Sequence, residues 1–223
     1  MHVLDRLDET RAEINVLEHP FYQRWSAGEL SAEELACYAG EYRHAVLALA
    51  RASQGAADSA ARSDAGPTAA AHRAGLARHA EEEEAHVELW EQFERASSPA
   101  GEPRQLAQTR ACVRAWGAGA DLLEQLAVLY AIEAGQPEIS ATKLAGLSAH
   151  YGFSQEGPAT EYFRVHELRD VEHAREAREL IERLMAEVDD PDEAAARMVA
   201  RAREALTGNW LLLDGVEASS RAA

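Results

Sequence analysis

An all-α protein is predicted by three features of this 223-residue sequence. Apolar residues recur with the period of a helix, no stretch alternates in the manner of strands joined by hairpins, and the interruptions are short clusters of Pro, Gly and Ser. Helices are expected over about residues 3 to 17, 31 to 54, 68 to 95, 103 to 116, 119 to 134, 138 to 150, 159 to 187 and 191 to 213. The first is stopped by His19-Pro20, and the second starts at Ser31 in "SAGELS", whose hydroxyl can cap free backbone N–H groups. The third follows "SDAGPT" and the fourth follows "SSPAGEP". The fifth carries the stripe Leu122, Leu126, Leu129 and Tyr130 and ends at "AGQP". The sixth runs to "YGFSQEGP", beyond which the seventh and eighth complete the chain. The length fits a single domain over residues 1–223, and a 47% hydrophobic content is enough to fill its core.

The charge balance excludes partners. With 22 basic residues against 39 acidic ones, the net charge of -17 repels nucleic acid and anionic membranes. No run of about 18 uninterrupted apolar residues occurs, and the N-terminus lacks a basic start followed by an apolar stretch. Cys37 and Cys112 form no C-x-x-C pattern, which argues against a disulfide scaffold or a thiolate zinc site, and a cytoplasmic location is expected.

Three helices break the rule that their apolar stripes stay apolar. In "EYFRVHELRDVEHAREARELIERL", His166, Asp170 and His173 are spaced i, i+4, i+7 and continue the stripe of Tyr162, Phe163, Ala177, Leu180, Ile181 and Leu184. Buried together, they need mutual pairing or a metal. On the helix containing Glu81 to Glu84, His79, Glu82, Glu83, Leu89, Trp90 and Phe93 share the face of His86, while Glu81, Glu84, Glu88 and Glu91 point away. A carboxylate three or four residues from a histidine can chelate one ion with it. The third stripe ends in Glu133, which on its own could be a helix-end hydrogen-bonding group.

Taken together, Glu83, His86, Glu133, His166, Asp170 and His173 offer three carboxylates and three imidazoles to one interior, with Glu82 open as an alternative to Glu83. That oxygen and nitrogen set suits two divalent iron or manganese ions better than structural zinc. No phosphate loop, H-E-x-x-H or G-x-S-x-G motif is present. Tyr38 and Tyr42 share a face with Ala45 and Leu49 and read equally well as core aromatics, and no motif activates Cys112.

The segments "HPFYQRWSAGELS", "EEEEAHVELW", "LYAIEAGQPEISATKLAGLSAHYG", "YFRVHELRDVEHA" and "NWLLLDGVE", in this order, resemble the CADD family, a folate-linked branch of the haem-oxygenase-like proteins that also include TenA and PqqC. The resemblance covers nearly the whole chain and implies a haem-oxygenase-like helical bundle without haem, holding two metal ions, Fe/Fe or Fe/Mn, with O₂ as co-substrate and a reductant. It assigns the metal to Glu83, His86, Glu133, His166, Asp170 and His173. It also implies para-aminobenzoate synthesis in which Tyr22 is cut out as the ring source and Lys143 supplies the amine, with Tyr38 and Tyr162 beside the site. One departure is visible: the family often carries a tyrosine directly before the glutamate matched by Glu133, and this chain has Ile132. Similar proteins are commonly homodimers. Competing readings are an oxidase acting on an external small molecule, a non-enzymatic helical metal-binding or interaction module, and a thiaminase-like hydrolase, which would need an activated cysteine.

Overall fold

Nine α-helices and two 3₁₀ turns make up the described residues, 2–62, 66–97 and 105–221, of a computed structural model of the chain, and no strand occurs among them. The helices are α1 (Val3–Glu13), α2 (Pro20–Ala27), α3 (Ala32–Ala61), α4 (Gly66–Ser97), α5 (Ala107–Trp116), α6 (Leu122–Glu133), α7 (Gln136–His150), α8 (Glu161–Met185) and α9 (Pro191–Arg221). The all-α expectation holds.

Several boundaries differ for local reasons. The first helix stops at Glu13 and is followed by a 3₁₀ turn, Val16–Glu18. Pro20 starts a helix that was not expected there: proline fits the first turn, where its missing N–H has no partner to lose, and the His19 ring accepts the Phe21 N–H at 3.0 Å. Ser31 caps α3 in a reciprocal box with Glu34. Beyond residue 54, α3 continues through the alanine-rich "GAADSAA" because alanine carries the highest helix propensity and offsets Gly55. The last helix likewise runs past residue 213, to Arg221. Residues 63–65 of "SDAGPT", most of "SSPAGEP" and the expected start of a helix at 103 lie outside the described residues.

What positions the site is the division of the interior into two apolar clusters. One gathers Trp25, Tyr38, Tyr42, Trp90, Tyr162 and Phe163 from α2, α3, α4 and α8. The other gathers Leu4, Leu7, Leu76, Ala80, Leu126, Leu180 and Met198 from α1, α4, α6, α8 and α9. The helices α4 and α8 run through both, and their polar residues fall between. Ala80 and Trp90 bracket Glu83 and His86, while Phe163 and Ala177 bracket His166, Asp170 and His173. A polar layer therefore separates two hydrophobic halves, and Glu133 enters it from the last turn of α6.

Candidate metal centre

All six carboxylates and imidazoles singled out in the sequence are buried in this layer, His86 being the most accessible at 7%. Donor atoms of five of them, joined by His79, fall into two groups that share one carboxylate. Atoms of Glu83, His86 and His166 lie within 4.8 Å of one another, and so do atoms of His79, Glu83, Glu133 and His173. Asp170 belongs to neither group but adjoins the second, with Oδ1 at 3.3 Å from His173 Nδ1. His79 shares the inward face of α4, and the sequence pattern does not single it out as a ligand.

The tautomers are set from outside the centre. His166 donates from Nδ1 to the Tyr162 carbonyl at 2.7 Å, which leaves Nε2 as a lone pair, buried and without a partner. His173 donates from Nε2 to Glu82 at 2.9 Å, and its inward Nδ1 is likewise unpartnered. His86 Nδ1 bonds to Glu83 at 3.1 Å. Histidines fixed by an outer hydrogen bond and presenting the other nitrogen inward are the usual arrangement around a metal. Glu82 is thus placed: it grips His173 and is itself held by Arg169 through two bonds of 2.8 and 2.7 Å, on the outer side of the cluster. Glu83 is the carboxylate inside.

Electrostatics point the same way. Burial opposes the charge on Glu83, but the His86 hydrogen bond and neighbouring imidazoles outweigh it and hold the carboxyl low. Burial, together with the nearby carboxylates of Glu133 and Glu83, pushes Asp170 up. Burial pulls His166 down to about 4, so its imidazole is neutral at physiological pH. Both oxygens of Glu133 and both of Asp170 are buried with no hydrogen-bond partner. Orphaned carboxylate oxygens converging with free imidazole lone pairs are expensive unless a cation sits among them, so the donor set fits one or two divalent metal ions.

A second constellation adjoins the first. The Tyr162 ring stacks on His166 at 3.9 Å between centroids. The Tyr22 and Tyr38 hydroxyls are hydrogen-bonded at 2.9 Å, and both residues are wholly buried. Lys143 on α7 is also wholly buried, its Nζ without a hydrogen-bond partner. It lies 5.4 Å from the Tyr22 ring centre, 5.6 Å from Tyr38, 4.6 Å from Tyr42 and 5.7 Å from Phe163. Burial takes this amine from its ordinary 10.5 down to about 7. Tyr42 is thus the ring nearest the amine, a placement the sequence left open. Its signal was present in the face shared with Tyr38, but the lysine comes from a helix some 100 residues away.

The segment carrying Tyr22 is fastened down. Trp25 Nε1 donates to the Lys143 carbonyl at 3.1 Å, and a Cβ at Gly146 would stand 2.5 Å from the Trp25 ring. Ile132, in place of the family tyrosine, is buried and borders a different cavity of about 230 Å³ that is also lined by Arg11, Glu138 and Asn209. Cys112 is buried, and burial pushes its thiol up, the opposite of what a thiolate nucleophile requires.

This bundle, with an imidazole and carboxylate layer between two apolar halves, has the haem-oxygenase-like fold. A TenA homologue from Pseudomonas syringae superimposes with a TM-score of 0.81 at 19% identity, over 97% of this chain and 91% of that one. A domain with a haem oxygenase-like fold from Shewanella denitrificans gives 0.75 at 17% identity over the same shares. At the sequence level, residues 4–211 match the model of the TENA/THI-4/PQQC family, and the chain belongs to that family. Among its relatives is a 4-aminobenzoate synthase of Chlamydia muridarum, 34% identical over 90% of this chain and 86% of that protein. Proteins of the same name from Chlamydia trachomatis serovar D and Nitrosomonas europaea are 35% and 28% identical, over 86% and 91% of this chain and 84% and 85% of their own lengths. Among the described residues no helix is long and apolar enough to cross a membrane.

Proposed function

We propose that this chain makes para-aminobenzoate from its own Tyr22, using nitrogen from Lys143, at an O₂-dependent dinuclear iron or iron and manganese centre. The observation that carries this reading is the placement of an unpartnered, wholly buried Lys143 amine 5.4 Å from the Tyr22 ring, next to the imidazole and carboxylate layer. The names of the relatives support the product.

The ring chemistry maps simply. Tyrosine carries its Cβ para to a hydroxyl, and para-aminobenzoate carries a carboxyl para to an amine. Conversion therefore retains the ring, breaks Cα–Cβ, oxidises Cβ and exchanges oxygen for nitrogen. Glu83, His86, Glu133, His166, Asp170 and His173 would hold the metals, which when bound supply O₂ activation, with electrons from an external reductant. The protein contributes position and dryness. Its Lys143, with a pKa near 7, is substantially neutral at physiological pH and so has a nitrogen lone pair to offer. Tyr38 fixes the Tyr22 hydroxyl. Tyr162 and Tyr42 are buried beside these groups, Tyr162 stacked on His166 and Tyr42 against the Lys143 amine.

A cavity of about 250 Å³ that reaches His79 and His173 favours a second reading, an oxidase acting on a small external molecule. One experiment separates the two. Protein carrying ring-labelled tyrosine is loaded with Fe(II), with or without Mn(II), and exposed to reductant and O₂ with no added substrate. Labelled para-aminobenzoate at no more than about one per chain, with mass lost at Tyr22 and a change at Lys143, is expected. Unchanged protein mass alongside repeated turnover of an added substrate would favour the second reading.

A further inference from the structure

We propose that His79 is a seventh metal ligand and that it marks an outer, exchangeable position for a first-row divalent cation, distinct from an inner position at His86 and His166. The inference rests on reading the layer as a two-metal centre, but not on what that centre makes.

The first support is geometric. His79 Nε2 is buried, has no hydrogen-bond partner, and lies 2.9 Å from Glu133 Oε1 and 3.9 Å from Glu83 Oε1. Its ring centre is 4.1 Å from that of His173. Two imidazoles and two carboxylates thus converge on one point with every donor within 4.8 Å of the others, a complete set of four before any outside ligand is counted. Neither Glu133 oxygen has a hydrogen bond, although one of them sits close to an imidazole nitrogen. At that distance the two can pair with each other or hold a cation between them.

The second support is access. His79 and His173 line the cavity of about 250 Å³ between α4, α6 and α8, whereas His86 and His166 do not border it. Its wall at Gly75 and Leu76 is small and apolar, and Arg78 pairs with Glu176 at 3.4 Å on its rim. On the other side, His166 is covered by the stacked Tyr162 ring. The helix spacing is consistent: His79 precedes His86 by seven residues, two turns, so α4 presents His79, Glu83 and His86 along one line. An ion at His79 therefore borders this cavity, and an ion at His86 does not, although the two side chains are similarly exposed, at 11% and 9%. Imidazole in place of water or a further carboxylate also shifts preference from manganese toward iron, cobalt and zinc at that position.

The test uses full-length protein loaded with Co(II), whose visible spectrum reports coordination, followed by release into excess EDTA. Wild type should release its two ions in two phases of about one equivalent each, the first at least tenfold faster. The variant His79→Ala should bind one equivalent, show the slow phase alone and lose the absorption of the fast one. His72→Ala, which alters the same cavity but bonds through its ring to the Thr68 carbonyl, should keep both ions. Retention of two ions with wild-type kinetics in His79→Ala, or loss of both from a variant whose circular dichroism shows it folded, would overturn the assignment. Wild type needs no variant to fold, and release of both of its ions in a single phase would overturn it too. Two-phase release from a protein that forms no para-aminobenzoate would leave this inference standing while the proposed function fails.

Discussion

Glu82 holds the Nε2 edge of His173 at 2.9 Å, so the other ring nitrogen faces Asp170 and Glu83. A carboxylate that could have been taken for a ligand instead decides which nitrogen of a neighbouring histidine is available. Arg169 completes the brace with two hydrogen bonds and pulls Glu82 down to about 2, so that it remains an acceptor over the whole physiological range.

Replacing Arg169 with Ala should therefore weaken metal binding without changing its stoichiometry. Outer partners of ligating histidines typically contribute about 10- to 100-fold in affinity. Competition with a chromophoric chelator measures this directly. An unchanged affinity would mean that the brace does not orient His173.

The buried amine predicts a pH dependence of stability. The folded chain gives up the Lys143 proton near pH 7 and the unfolded chain near 10.5. Between these values the unfolded state binds more protons, so the free energy of unfolding rises with pH, and the penalty of burying Lys143 is full only below the lower value. Lys143→Met should be more stable than wild type at pH 6.5, by something on the order of 3–5 kcal/mol, with the gain shrinking toward pH 10. Urea unfolding of both proteins across that range gives the comparison. A gain independent of pH would show that the amine never titrates within it.

Gly146 should tolerate no side chain. A Cβ there meets the Trp25 ring at 2.5 Å and the Trp25 carbonyl at 3.2 Å, so Gly146→Ala must push α2 away from α7. Overpacking of this kind costs about 1–3 kcal/mol. The urea midpoint should fall by a corresponding amount, and yield of labelled para-aminobenzoate should fall with it because Tyr22 and Lys143 separate. A variant with wild-type midpoint and yield would contradict the tight contact.

Cys112→Ala should retain metal and O₂ consumption, since the thiol is sealed in the core and burial keeps it protonated. Thiaminase activity in the wild type, abolished by this change, would instead restore the hydrolase reading.

The sequence made the fold and most of the buried donors legible, because both depend on local periodicity. His166, Asp170 and His173 interrupt an apolar stripe of one helix, and angular position alone places them inward. What could not be read was decided by contacts between distant segments. Glu82 and Glu83 are neighbours that both lean inward, and contacts with Arg169 and His173, on α8, draw one of them outward. His79 could be seen on the right face, but its convergence with Glu133 depends on how α4 and α6 each pack on α8. The helix at Pro20 was hidden because proline after histidine reads as a break, and it becomes a beginning only when His19 supplies the cap.

The embedding of Tyr22 bears on the lifetime of the molecule. Its ring packs edge-on against Phe21 and Tyr38 and adjoins Trp25. A chain that surrendered this ring would be left with a void where a phenol had been, and emptying such a site costs about 3–5 kcal/mol. That is a large share of the roughly 5–15 kcal/mol by which a domain of this kind outlasts its unfolded form. Used molecules would then differ from fresh ones in durability as well as in composition, and proteases that sample transient openings would clear the former first. The same packing that aims the tyrosine would give each molecule its own expiry date.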